Sequence, residues 1–328
     1  MVPRFKSSLD VILETLFYSL WALRIKKHEV QIKKGEMIMR KLMKSLMVGG
    51  CLLTMIAGCS QQADDNKTRL DKILESGKIT MATSPDYPPL EFIDTTKTGA
   101  DQYVGSDIAL GKYIAKQLGV ELELKIMDFS AVLAAVGEGK VDMAISGLGY
   151  KEDRVEAMEF SISYNRSSDD EVSENQVCTG HGLLVLKENV GLYQTLDDFK
   201  GKRIAAQSGS LQEGYANEQI EDVKVDIISA LGDGVLRVQS KKSDALAIPC
   251  STGQQYVDAN PDLAMTTVTF NVDEEDEYDG NLIGVPKGEV ELIEAINEII
   301  KEVNEQGLYK QWEQEYSEYA KTLGLDVE

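Results

Sequence analysis

Short runs of β-forming residues alternate with longer amphipathic runs along most of this chain. Lys78–Thr83 (KITMAT), Leu122–Ile126 and Val141–Ser146 (VDMAIS) predict strands. Asp107–Leu118 (DIALGKYIAKQL) and Phe129–Val136 repeat apolar residues at helical spacing. The rhythm resumes with strands at Leu183–Lys187, Arg203–Ala206, Val223–Ile228 and Ala245–Ile248, and helices at Ser210–Gln219 and Leu231–Ser240. A long helix, Glu289–Glu305, is expected to stop at Gly307. Strands alternating with helices imply crossover connections, so the class is α/β, with mostly parallel sheets flanked by helices.

Two polar stretches interrupt the pattern: Asn165–Gly182 (NRSSDDEVSENQVCTGHG) and Asp273–Gly280 (DEEDEYDG). They divide the chain into a first lobe of residues 68–182 plus 281–328 and an inserted second lobe of residues 183–280. A length of 328 residues suits two such units.

The N-terminal region follows a different logic. Met37–Cys59 places Arg40, Lys41 and Lys44 before a short apolar run ending in small residues, the layout of a secretory signal peptide over residues 37–58. Its apolar run is shorter than the roughly 20 residues that span a bilayer. Ile56-Ala57-Gly58-Cys59 resembles a lipobox, which implies lipidation of Cys59 and an anchor on the outer face of the cell membrane. Polar residues 59–67 read as a tether. Residues 1–36 precede the signal and read as an extension from an early start codon, with an amphipathic helix at Val11–Ile25 as the rival reading.

Charge narrows the function. The chain carries a net −21, and residues 59–328 alone carry −27. So acidic a surface repels phosphate backbones and anionic headgroups, which excludes nucleic acid as a partner and a basic membrane-docking face. Cys178 and Cys250 remain once Cys51 and Cys59 are set aside, and in an oxidising compartment they are either a disulfide or two buried thiols. HExxH, CxxC, GxSxG and Walker A motifs are all missing, and Gly147-Leu148-Gly149-Tyr150-Lys151-Glu152 lacks the last glycine of a GxGxxG loop. His181 is the only histidine after the leader. No metal, cofactor or catalysis is expected.

Four segments carry the remaining signal: Ser84–Phe92 (SPDYPPLEF), Met127–Arg154, Leu196–Glu213 (LDDFKGKRIAAQSGSLQE) and Ile283–Tyr316. In this order they resemble the polar amino-acid branch of the extracellular solute-binding proteins that serve ABC importers, from about residue 70 to residue 316. The resemblance implies a two-lobed periplasmic-binding-protein fold of type II with ligand in the interlobe cleft. It implies Tyr87 over the ligand side chain on a loop stiffened by Pro88 and Pro89. Glu91 could meet a basic side chain, an exposed structural carboxylate being the default. Backbone N–H groups of Ser146, Gly147 and Gly149, with the Arg154 fork, would grip a ligand α-carboxylate. Gly209 and Ser210 would add amides from a helix start, Ser210 serving also or instead as N-cap. Tyr309 and Trp312 read as packing residues.

The chain departs from that pattern at three places. Pro249 stands where an Asp usually pairs with the ligand ammonium, Gly149 replaces a hydroxyl residue, and Ser106 replaces an aromatic. The expected function is the substrate-binding component of an ABC importer, a monomer that closes on an amino acid or related small carboxylate. Its partners would be the importer's membrane subunits and, through the anchor, the membrane. A dehydratase on the same fold and a ligand-sensing partner of a membrane receptor are the alternatives.

Overall fold

Thr68 opens the first described helix with a capping box: its hydroxyl accepts from the Asp71 amide, and the Asp71 carboxylate accepts from the Thr68 amide. This starts α1 (Arg69–Ser76). The computed structural model describes residues 67–165, 177–272 and 280–323. Residues 1–36, the signal segment, Cys51, Cys59 and nearly all of the tether lie outside the described residues, as do most of the two polar breaks.

Two five-stranded sheets organise the chain. The first has the order β5-β1-β6-β13-β7, from β1 (Lys78–Thr83), β5 (Glu121–Ile126), β6 (Met143–Ala144), β7 (Met158–Phe160) and β13 (Gly284–Pro286). The second has the order β10-β9-β11-β8-β12, from β8 (His181–Leu186), β9 (Arg203–Gln207), β10 (Lys224–Ile228), β11 (Ala245–Pro249) and β12 (Leu263–Thr269). A small third sheet joins β2 (Asp86–Tyr87), β3 (Glu91–Ile93) and β4 (Tyr103–Val104) beside the first. The two-lobed α/β class holds, but the sheets are mixed rather than mostly parallel. β1 pairs in parallel with β5 and β6, and β9 with β10 and β11. The antiparallel partners are β7, β8, β12 and β13, the strands beside the two crossings between lobes. A strand entering from the other lobe needs no crossover helix, so nothing forces it to run parallel.

The helices are α2 (Ser106–Leu118), α3 (Phe129–Gly137), α4 (Leu211–Gln219), α5 (Leu231–Gln239), α6 (Cys250–Ala259), α7 (Val290–Gln306) and α8 (Leu308–Leu323). Gly307 ends α7 at φ +62°, a left-handed cap that a side chain would strain. The pattern did not predict α6 or β12: CSTGQQYVDA has few apolar residues to mark a face. β6 is shorter than expected, Met143–Ala144 alone, and just before it Thr80 and Asp142 bond through their side chains at 2.7 and 2.8 Å.

Each lobe has apolar packing on both sheet faces. Ile79, Met81, Ile108, Ile296 and Tyr309 form one first-lobe core, and Val132, Val136, Leu148 and Met158 the other. In the second lobe, Leu184, Val235, Leu246 and Met265 pack on one side, and Phe199, Ile204 and Ala247 on the other. Tyr87 of the first lobe packs against the second lobe's core. Helix α8 lies on the first lobe, yet Gln255 of α6 donates to the Ser317 hydroxyl at 2.9 Å. Cys178 and Cys250 form a disulfide with Cα atoms 5.7 Å apart. Among the described residues, no helix is long and apolar enough to cross a membrane.

Candidate functional site

Between the sheets is a cavity of about 540 Å³, walled by Tyr87, Glu91, Ser146, Gly147, Gly149 and Arg154 from the first lobe. Ser210, Leu211, Gln212, Tyr215 and Pro249 line it from the second. Of the residues anticipated from sequence, Gly209 alone is set back from the lining.

Its floor is built by β1 and the turn after β6. The Ser84 amide donates to Ser146 Oγ at 3.0 Å, and Ser146 Oγ donates to Glu91 Oε1 at 2.9 Å. Gly147 follows at φ +54°, and a Cβ there would sit 2.7 Å from the Tyr87 ring. Only glycine lets that ring lie flat on the turn.

Glu91 is not the exposed carboxylate taken as the default: it is wholly buried. Burial, with the Asp107 carboxylate beside it, pushes its pKa well above the usual range. Glu91 Oε2 meets no donor, so a proton carried by Glu91 and shared with Asp107 accounts for the pair. Asp107 is the better-served member. It accepts the Tyr309 hydroxyl at 2.6 Å, the Tyr164 hydroxyl at 3.0 Å and the Gly147 amide at 2.8 Å. Ser106 donates to Tyr309 at 3.0 Å, so the missing aromatic is replaced by one more hydroxyl in this chain of bonds.

Arg154 is 6% exposed. Nη1 donates to the Gly149 carbonyl at 2.6 Å, and Nη2 donates across the cleft to the Gly209 carbonyl at 2.8 Å. Its guanidinium stands 5.7 Å from the Phe129 ring centre. Burial lowers its pKa to about 10, which leaves it charged at neutral pH. A guanidinium has about five N–H donors, so these two bonds leave others for an anion.

The amides divide differently from the sequence expectation. Gly147 N–H is held by Asp107, Gly209 N–H by the Glu213 carboxylate at 2.6 Å, and Ser210 N–H by the Gln207 carbonyl at 3.1 Å. Ser210 is the N-cap of α4, its hydroxyl accepting from the Glu213 amide at 3.1 Å. A helix start leaves its first amides without helical partners, and Leu211 and Gln212, the first two residues of α4, both line the cavity. A motif marks where a helix begins; which amides are already taken depends on side chains three residues further on.

Asp86 escaped the sequence reading, in which His181 is only the single histidine after the leader. Asp86, next to Tyr87, lines the cavity and bonds across it to Gln207 and the Leu231 amide. Its carboxylate directly before Tyr87 in that loop was the available signal. His181 is half-buried, and its Nδ1 lies 2.8 Å from Gln212 Nε2; desolvation holds its pKa down at about 4, so it is neutral. No His/Cys/Asp/Glu group among the described residues could hold a metal.

A model of the bacterial extracellular solute-binding proteins, family 3, matches residues 79–319. The arginine-binding extracellular protein ArtP of Bacillus subtilis (strain 168) is 30% identical over 275 residues, 81% of this chain and 96% of that protein. The L-cystine-binding protein TcyJ of Escherichia coli (strain K12) is 24% identical over 266 residues, covering 80% and 91%. Among solved structures, an amino acid ABC transporter substrate-binding protein from Streptococcus pneumoniae bound to L-arginine superposes with a TM-score of 0.68. It is 29% identical and covers 77% of this chain and 98% of its own.

Proposed function

The chain belongs to the bacterial extracellular solute-binding proteins of family 3, and we propose that it is the component of an ABC transporter that captures a cationic amino acid, arginine first among the candidates. The observation that carries this reading is the cavity itself. The buried Arg154 guanidinium and the start of α4 line it, together with the acids Asp86, Glu91, Glu152, Glu218 and Glu313. An amino-acid carboxylate suits the Arg154 fork and the Leu211 and Gln212 amides. The ring of Tyr87 suits a cationic side chain, a contact of about 0.5 to 2 kcal/mol.

Pro249 supplies no charge for an α-ammonium, so that group falls to acceptors from the first lobe. Tyr87, Glu91, Ser146, Gly149 and Arg154 are assigned to the ligand from that side, with Gly147 as the turn beneath Tyr87 and Ser210 as the cap that orients the α4 start. Lobe boundaries at residues 68–182 plus 281–328 and 183–280, a lipid on Cys59, an outer-face location and a monomeric state complete the proposal.

Isothermal titration of the purified protein with L-arginine, L-lysine, L-histidine, L-cystine and L-glutamine tests it. Tightest binding to L-arginine, lost in Arg154→Ala, is expected. Binding to none of the five, with no rise in melting temperature, would overturn the assignment.

A further inference from the structure

Helix α5 starts without a cap of its own. Its N-cap residue is Ala230, whose side chain accepts nothing, while the first amides of a helix need acceptors. The acceptor comes from the other lobe: Asp86 Oδ2 takes the Leu231 amide at 2.7 Å. A carboxylate suits that place, because the positive end of the helix dipole lies there. The same oxygen accepts Gln207 Nε2 at 2.8 Å, and Gln207 Nε2 also donates to the Ser229 carbonyl at 3.1 Å. The end of β9 and the approach to α5 are thus gathered on one group. Asp86 Oδ1 accepts the Ser84 hydroxyl at 2.8 Å, which holds the carboxylate from its own side.

The Asp86 main chain makes a third crossing. Its carbonyl accepts, at 3.0 Å, the hydroxyl of Tyr256, a buried residue of α6 that does not line the cavity. Beside it, Tyr87 packs against the second-lobe core to which Tyr256 belongs. Gln207, Leu231 and Tyr256 all stand on second-lobe elements, so three bonds between the lobes converge on one first-lobe residue. Both partners in each bond are groups of the protein itself, so none of the three depends on the side chain of a ligand.

We propose that Asp86 is a positioning residue for capture: its carboxylate caps α5 across the cleft and draws the lobes together, which raises affinity for every ligand by the same factor. This rests on the two-lobed binding reading above, and a simpler role predicts a different pattern. As counter-charge to a cationic side chain, Asp86 would favour L-arginine over an uncharged amino acid. As a latch it sets the fraction of molecules whose lobes are placed to hold a ligand, and apparent affinity scales with that fraction whatever the side chain.

Two measurements decide it. In calorimetric titrations, Asp86→Ala is expected to bind L-arginine and L-glutamine about tenfold more weakly, by the same factor for each, the scale of hydrogen bonds to a charged group. Tyr256→Phe is expected to weaken both by about threefold, although its hydroxyl does not line the cavity. Asp86→Asn keeps one acceptor oxygen without the charge and should recover part of the loss. Spin labels at Lys116→Cys in the first lobe and Lys224→Cys in the second, both exposed, report the lobe separation by double electron–electron resonance. Without added ligand, the protein with Asp86 intact is expected to populate the separation of this structure in part, and Asp86→Ala and Tyr256→Phe to shift that population to longer separations. A loss confined to L-arginine, or separations that respond to neither substitution, overturns the latch. If neither amino acid binds, the ligand assignment fails while the separations still decide the latch.

Discussion

Gly149 and Leu211 face each other across the cleft so closely that a Cβ on Gly149 would lie 2.7 Å from Leu211 Cδ1. The glycine that departs from the family pattern is thus matched by a leucine from the opposite lobe. A hydroxyl residue at 149 forces the Cδ1 end of Leu211 to shift. Gly149→Ser is expected to weaken ligand binding by about tenfold, the low end of the cost of overpacking. Leu211→Ala should restore room, so that Gly149→Ser made in that background costs little. A double-mutant cycle on L-arginine affinity measures the coupling, and additive losses would mean that the two side chains do not compete for one space.

Arg154 joins Gly149 to Gly209 and so spans the same gap. Arg154→Ala removes both the anion fork and a bond between lobes, and a loss of at least about 100-fold in affinity is expected, within the range for truncating a buried charged partner. Arg154→Lys keeps the charge but not the planar fork, and should recover only part of the loss. Full affinity in the lysine variant would show that charge alone suffices.

The Arg154 side chain was legible in sequence because a lone arginine follows a strand and a glycine-rich turn at a recognisable spacing. The alternation of strands and helices was legible too, down to Lys78–Thr83, which matches β1 residue for residue. What could not be read was anything decided by a second segment. The Gly147 amide is taken by Asp107, 40 residues earlier in the chain, and the Gly209 amide by Glu213, so neither is offered to a ligand as the motif suggests. Glu91 looked like a surface acid because nothing local shows that its side chain meets Ser146, 55 residues later, and lies beside Asp107. Helix α6 has too few apolar residues to announce itself, and strands β8 and β13 run antiparallel because of where the chain changes lobes.

The Glu91–Asp107 pair sets a pH dependence of stability with a definite sign. Glu91 is raised far above its unfolded value by burial and by its neighbour. The folded protein therefore holds a proton that the unfolded chain releases, and this contribution is full below the unfolded pKa of about 4.3 and lost as pH rises toward the folded one. Glu91→Gln removes the ionisation and should flatten the fall in denaturant stability as pH rises above the unfolded value of about 4.3. Asp107→Asn should destabilise by about 1 to 3 kcal/mol, since the amide cannot accept from Tyr309, Tyr164 and the Gly147 amide at once. A pH slope unchanged in Glu91→Gln would place the proton elsewhere.

The disulfide ties the segment entering β8 to the first residue of α6, 72 residues later in the chain. Closing so long a loop in the unfolded chain corresponds to about 4 kcal/mol on the loop-entropy model. Its sulfurs also crowd the backbone: a Cβ on Gly182 would lie 3.1 Å from Cys250 Sγ and 3.3 Å from Cys178 Sγ. Cys178→Ser and Cys250→Ser each remove the same bond, so the two single variants and the double variant should lose nearly the same stability in urea unfolding. Reductant should lower the wild type to that level and leave the variants unmoved. If the single losses instead add up in the double variant, the cysteines contribute through packing and the cross-link is not the source of the stability.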